Sequence, residues 1–99
     1  AAEARYEIAS CWLSLNKLSD AEKAAFETIN KSGSYDFWVT KAYILLGDIY
    51  FRQKDYFNAK ATYESVAKNS VIPELKSEAQ QKLDKAIAEE KSVSKVGGE

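Results

Sequence analysis

The chain has few side chains that could do chemistry, and none is paired in sequence with a group that would activate it. It contains no histidine and a single cysteine, Cys11. Histidine is the commonest general base near neutral pH and a frequent metal ligand. Cys11 has no base near it in sequence, so a small buried hydrophobe is favoured over a reactive thiol. We therefore expect no catalytic site, no metal site, no cofactor and no enzymatic activity.

Two further patterns resemble chemical motifs but have simpler interpretations. Glu89, Glu90 and Lys91 place charges side by side, which is typical of a solvated helix face. Gly97 and Gly98 lie in a polar tail and lack the residues of a phosphate-binding loop. Neither pattern indicates a reaction.

Charge and hydropathy exclude two classes of partner. The 14 basic and 15 acidic residues give a net charge of -1, which does not favour nucleic acid. No apolar run is long enough for membrane insertion. A lone cysteine cannot form an internal disulfide, so cysteine usage does not distinguish an oxidising compartment from a reducing one. The start at Ala1, without methionine, indicates a processed or excised segment.

The sequence predicts an all-α fold. One proline and four glycines leave little room for a turn-rich β fold. Ser19 with Glu22 has capping-box spacing, Asp55 is a good N-cap type, and Pro73 suits the first turn of a helix. Short loops predict antiparallel neighbours. We expect one domain at 1–91, with hairpins at 3–33 and 35–69, a capping helix at 73–91 and a flexible tail at 92–99.

Apolar spacing predicts which helix faces are buried. In the third helix these are Tyr43, Leu46, Gly47 and Tyr50, where the small Gly47 would let Ala59 of the next helix approach closely. The predicted buried side of the first helix consists of Ala4, Ile8, Cys11, Trp12 and Leu15.

The two hairpins repeat. Asn16 aligns with Lys54, an offset of 38 residues that also pairs Trp12 with Tyr50 and Ala21 with Ala59. The second hairpin reads Tyr43-x2-Leu46-Gly47-x2-Tyr50, then Ala59-x3-Tyr63 and Pro73. This order of aromatic, Leu-Gly, aromatic, small, aromatic and proline resembles the tetratricopeptide repeat (TPR), with the proline two residues late.

The first hairpin departs from that pattern, with Arg5 and Ala25 where aromatics are usual. We place the extra helical turn of its longer offset near residues 30–35. The resemblance covers about residues 3–73. The whole stretch is similar to the C-terminal end of a longer Bacteroidetes-type TPR protein. It implies a right-handed α-solenoid closed by the helix at 73–91, with an uncapped first helix.

In that family the first helix of each hairpin lines a concave groove, which implies a protein-binding stripe here. Its members mix charge, aromatic rings and aliphatics, as recognition surfaces do: Tyr6, Ser10, Leu13, Lys41, Ile44, Asp48, Phe51 and Arg52. Alternatively, the apolar members pack between hairpins, and both interpretations stay open. Acidic neighbours of the two cations disfavour a C-terminal carboxylate as the ligand.

Phe37 and Trp38 put two large aromatics at a helix start. Packing of Trp38 between the hairpins is the simpler interpretation. The alternative is an aromatic anchor for a partner, with Phe37 exposed.

The hypothesis that follows is a non-catalytic protein–protein interaction module, a scaffold that binds a peptide or partner helix in a concave groove. One alternative is a structural capping segment of a longer array, or a homodimer formed through the uncapped first helix. Another is a fragment of a bacterial envelope assembly factor. The localisation in a bacterial cell stays open between the periplasm or cell envelope and the cytoplasm.

Overall fold

The computed structural model describes residues 1–31 and 37–97, with side chains as far as Val93. These residues form five α-helices and no strand, so the all-α prediction is confirmed. The helices are α1 (Ala2–Ser14), α2 (Leu18–Lys31), α3 (Phe37–Arg52), α4 (Tyr56–Asn69) and α5 (Pro73–Gly97). The turn expected near residues 30–35 lies mostly outside the described residues.

Each helix packs on the next one along the chain, and α1 also contacts α3 while α3 contacts α5. Within the described residues, α2 does not contact α4 and α1 does not contact α5. The odd-numbered helices therefore form a continuous layer, and α2 and α4 each pack against two of them. The Cα atoms extend 48 × 29 × 16 Å, so the molecule is flat.

Two helix starts follow the sequence prediction and one does not. Asp55 is the N-cap of α4, and its Oδ1 accepts a hydrogen bond of 3.2 Å from the backbone N–H of Asn58. Pro73 is the first residue of α5. Ser19 is not a cap, because the Lys17 carbonyl already accepts a bond of 2.8 Å from the Ala21 amide and α2 begins at Leu18. The predicted capping box is therefore wrong.

The last helix is longer than the sequence predicts. A flexible tail was expected from residue 92, but α5 continues through Gly97. No glycine or proline stands between Pro73 and Gly97, so the sequence holds no strong helix breaker before that point.

The first helices of both hairpins, α1 and α3, end in the same Schellman turn. The left-handed residues are Asn16, with φ of 59°, and Lys54, with φ of 65°. In each turn the backbone N–H of that residue donates a hydrogen bond to the carbonyl three residues back. The next backbone N–H donates to the carbonyl five residues back, from Lys17 to Trp12 and from Asp55 to Tyr50. The 38-residue offset thus relates backbone geometry as well as residue types.

The core has two parts. One cluster joins α1, α2 and α3 through Ala9, Leu13, Ala21, Ala24, Ala25, Leu45, Leu46 and Ile49. The other joins α3, α4 and α5 through Ile44, Ala59, Tyr63, Val66, Ala67, Leu75, Ala79 and Ala86. Both clusters use α3, which is therefore the central helix.

Gly47 allows a close approach of α3 and α4, as its small size predicts. A Cβ at position 47 would come within 2.7 Å of Cδ1 of the Tyr63 ring, and closer still to Cε1. Tyr63 is 2% exposed, so its ring has little room to move. Ala59 on the facing helix is fully buried.

The predicted buried side of α1 is wrong. Ile8 and Leu15 are 56% and 65% exposed, and Ala4 and Cys11 are also exposed. The buried residues of α1 are Ala9 and Leu13. Apolar residues surround α1 on several sides, so spacing alone does not select one face. In α3, Tyr43 was expected to be buried but is 40% exposed.

Candidate functional site

A cleft of about 340 Å³ opens where α1, α3, α4 and α5 come together. Four of its lining residues belong to the predicted groove: Leu13, Asp48, Phe51 and Arg52. The others are Tyr63 from α4 and Lys82 and Lys85 from α5. The cleft therefore combines an aliphatic chain, aromatic rings, three cations and one carboxylate.

Asp48 is fixed by donors from two other helices. The Tyr63 hydroxyl donates to its Oδ1 at 2.5 Å, and Lys82 Nζ donates to its Oδ2 at 2.9 Å. Lys82 also pairs with Glu78 one turn earlier on α5, at 3.2 Å. Both oxygens of Asp48 are therefore engaged, and this carboxylate connects α3 with α4 and α5 at the cleft.

The same network shifts two ionisation equilibria. Burial and the neighbouring charge of Asp48 raise the pKa of Tyr63. Burial alone would lower the pKa of Lys82, but its charge interactions and hydrogen bonds with Asp48 and Glu78 outweigh it, so that pKa is raised. Tyr63 therefore stays a neutral donor and Lys82 a cation at neutral pH.

Phe51 and Lys85 form the apolar and cationic wall of the cleft. The Phe51 ring packs edge-to-face on Tyr56, with centroids 5.4 Å apart. Lys85 Nζ lies 5.8 Å from the Phe51 centroid, within cation–π range. Lys85 makes no ion pair with any residue that the structure describes.

Arg52 joins the two hairpins at the rim of the cleft. Its Nη1 lies 3.3 Å from the Leu13 carbonyl oxygen and 3.4 Å from Oδ1 of Asn16. A cation beside the last carbonyls of α1 is also favourable toward the helix dipole. Arg52 is exposed, so its remaining N–H groups can meet a ligand.

The other predicted residues gather at the opposite end of α1 and α3. The Tyr6 and Trp38 rings lie 5.5 Å apart, and Phe37 packs edge-to-face on Trp38 at 4.9 Å. Lys41 Nζ is 5.4 Å from the Tyr6 centroid and 5.8 Å from that of Phe37. We call Tyr6, Phe37, Trp38 and Lys41 the aromatic cluster. Trp38 therefore packs between hairpins, as the simpler interpretation predicted, while Phe37 is 41% exposed.

Not every predicted groove residue is available to a partner. Ile44 is 2% exposed and lies in the cluster with Tyr63 and Leu75, so its assignment to the groove surface is wrong. The reason is that α5 and α4 cover this side of α3. Leu13 is 8% exposed and belongs to the core as much as to the cleft. Ser10 is half-buried. Cys11 is exposed, so the prediction of a buried cysteine is also wrong.

The sequence analysis assigns α5 only a capping role and does not predict its contribution to the cleft. Glu78, Lys82 and Lys85 recur at helical spacing on one flank of the buried Ala79 and Ala86. That spacing could have identified a charged edge facing α3. Nothing in the sequence, however, says which flank of α5 meets the cleft.

Among the described residues, no group of histidine, cysteine or carboxylate side chains could hold a metal ion. No described helix is long and apolar enough to cross a membrane. No protein-family model matches the chain, and neither a curated protein nor a solved structure matches it.

Proposed function

We propose that the chain is a non-catalytic, TPR-like protein-interaction module that binds an acidic peptide segment in the cleft. The observation that carries this proposal is the lining of the cleft, in which Lys82 is paired with Asp48 and Glu78, while Arg52 and Lys85 make no ion pair with a residue that the structure describes. The chain as a whole carries a net charge of -1. The excess of cations is thus local to the cleft, as a recognition site for carboxylates requires.

The apolar members of the cleft favour a peptide over a small anion. Phe51 and Leu13 offer ring and aliphatic surface beside the cations. Interfaces that bind proteins combine aromatic anchors with a charged rim in this way.

The aromatic cluster is a second candidate contact, at the opposite end of α3 from the cleft. Trp38, Lys41, Asp48 and Arg52 follow helical spacing on one face of that helix. From Trp38 to Arg52 the helix rises roughly 21 Å, which about six extended residues would span. A peptide that contacts both the cleft and the exposed ring of Phe37 must cross the middle of α3, where Ile44 and Leu45 are covered by other helices.

The tetratricopeptide-like arrangement is supported by three observations. The hairpins share the Schellman turns at Asn16 and Lys54. Gly47 sits against Tyr63, as its place in the motif implies. Consecutive odd-numbered helices contact each other, α1 with α3 and α3 with α5, as the groove-lining helices of stacked hairpins would. The bacterial envelope hypothesis stays a prediction from the sequence.

The test is fluorescence anisotropy with three labelled peptides of identical aromatic content that carry Glu, Gln or Lys at the same positions. We expect the Glu peptide to bind most tightly, with an affinity that falls as salt rises. Lys85→Glu should weaken that affinity by about tenfold or more. Phe51→Ala should also weaken it.

The matched control is Lys76→Glu, which makes the same charge change at an exposed site of α5 that does not line the cleft. Circular dichroism would establish that all variants are equally helical. Equal binding of the three peptides, or an equal loss in Lys76→Glu and Lys85→Glu, would contradict the proposal.

A further inference from the structure

The outward side of α1 carries an apolar stripe that nothing in the described structure covers. Ala4, Ile8, Cys11 and Leu15 follow the spacing of one helix face, and all four are exposed. We call these four residues the α1 stripe. The face of α1 that borders the cleft is a different one, which includes Leu13.

The internal repeat indicates that residues at these positions are suited to burial. The 38-residue offset places Ala4, Ile8 and Cys11 on Ala42, Leu46 and Ile49 of α3. Those three residues are at most 4% exposed. Leu46 and Ile49 share a core cluster with Ala21, Ala24 and Ala25 of α2. In the second hairpin, therefore, a neighbouring helix covers the face that the first hairpin leaves open.

We propose that the occupant of the α1 stripe is a second copy of this chain, with the two α1 helices packed antiparallel about a twofold axis. Centred between Ser10 and Ala9, such a pairing sets Ala4 against the partner copy's Leu15, and Ile8 against its Cys11. Each pair joins a smaller side chain with a larger one, as interdigitated helix packing needs. A parallel pairing would instead set Leu15 against Leu15 and Ala4 against Ala4.

The charges at the two ends of α1 agree with the antiparallel arrangement. Glu3 is exposed at the start of α1, and Lys17 is exposed just after its end. The twofold axis brings Glu3 of each copy near Lys17 of the other, so opposite charges meet at both ends. In the parallel arrangement Glu3 would face Glu3, which is unfavourable.

The stripe is short, since eleven residues of helix rise roughly 16 Å. The dimer should therefore be weak and dissociate on dilution. Sedimentation equilibrium across a range of concentrations is the first test. We expect the apparent mass of the native chain to rise from one copy toward two. A single-copy mass up to about 1 mM would overturn the proposal and assign the stripe to another helix or another protein.

Cys11 supplies a direct readout because it is the one cysteine in the chain. In the antiparallel pair the two Cys11 residues are offset along the axes by about three residues, roughly 4.5 Å. After reduction of Cys11 and removal of the reductant, a short bis-maleimide should therefore link the two copies under native conditions. The linkage should fall to the background level measured in urea.

Leu15→Glu should abolish both the mass increase and the cross-link. The control is Phe57→Glu, which places the same charge at an exposed aromatic of α4 that is 74% exposed. It should leave both readouts unchanged. Cross-linking that persists in Leu15→Glu, or that disappears equally in Phe57→Glu, would overturn the proposal. The cleft can be tested separately, because Lys85→Glu should not alter the mass.

Discussion

The Tyr63 hydroxyl donates a hydrogen bond of 2.5 Å to Asp48, from α4 to the face of α3 that lines the cleft. Lys82 of α5 binds the other oxygen of the same carboxylate. A single side chain thus connects three helices. Asp48, which the sequence indicated as a partner-binding residue, acts first as the organiser of the cleft.

The network predicts a loss of stability in alkaline solution. The pKa of Tyr63 is raised above its usual value of 10.0, and that of Lys82 above 10.5. Above these values the unfolded chain loses protons that the folded chain keeps, so rising pH favours unfolding. The free energy of unfolding should therefore hold from about pH 7 to pH 9 and fall toward about pH 11. Urea unfolding across this range measures it.

Tyr63→Phe isolates the contribution of the hydroxyl. At neutral pH it should lower the free energy of unfolding by about 1–2 kcal/mol, since Asp48 loses a donor. It should also make the alkaline decline shallower. An alkaline slope identical to that of the native chain would show that Tyr63 does not contribute to it.

Gly47→Ala should destabilise the fold, although alanine is the better helix former by up to about 1 kcal/mol. The added Cβ would overlap the Tyr63 ring, whose hydroxyl is held by Asp48. Overpacking of this kind costs about 1–3 kcal/mol. Thermal or urea unfolding shows whether Gly47→Ala lowers or raises the free energy of unfolding. Increased stability in Gly47→Ala would mean that the ring can move aside.

Lys54→Gly should stabilise the fold. Lys54 has a φ of 65°, a conformation that costs a residue with a Cβ about 1 kcal/mol relative to glycine. Asn16→Gly, at the equivalent turn, should gain less, because asparagine tolerates this conformation and its Oδ1 lies 3.4 Å from Arg52 Nη1. Equal gains in the two variants would contradict this explanation.

Trp38→Ala and Phe37→Ala should differ. Trp38 is half-buried against Tyr6, so its loss should cost about 1–3 kcal/mol. Phe37 is 41% exposed, and its loss should change stability by less than about 0.5 kcal/mol. If Phe37 anchors a partner, Phe37→Ala should weaken binding of the acidic peptide. Equal destabilisation by both variants would assign Phe37 to packing.

Helix number and most boundaries could be predicted because their signals are local. Asp55 and Pro73 start helices in the structure as their side-chain chemistry predicts. Gly47 was also interpretable, since a small residue within a helix indicates close packing. The end of α5 is not predicted correctly, because polar residues such as Ser92 do not by themselves terminate a helix.

The predictions that are wrong or incomplete concern features that depend on contacts between residues far apart in sequence. In α1, both the side with Ile8 and the side with Leu13 are apolar, and only packing on α2 and α3 selects Leu13. Lys82 and Lys85 join the cleft because α5 crosses back to touch α3. A single sequence does not specify that crossing, so the cationic side of the cleft became visible only in the structure.

The absence of contact between α1 and α5 in the described chain has a mechanical consequence. Both helices contribute to the walls of the cleft, yet α1 is held only by α2 and α3, and α5 only by α3 and α4. A small bend about α3 of the layer formed by α1, α3 and α5 would therefore widen or narrow the cleft without breaking a direct contact between α1 and α5. A ligand that contacts both walls of the cleft would supply the direct link between α1 and α5 that the described chain lacks.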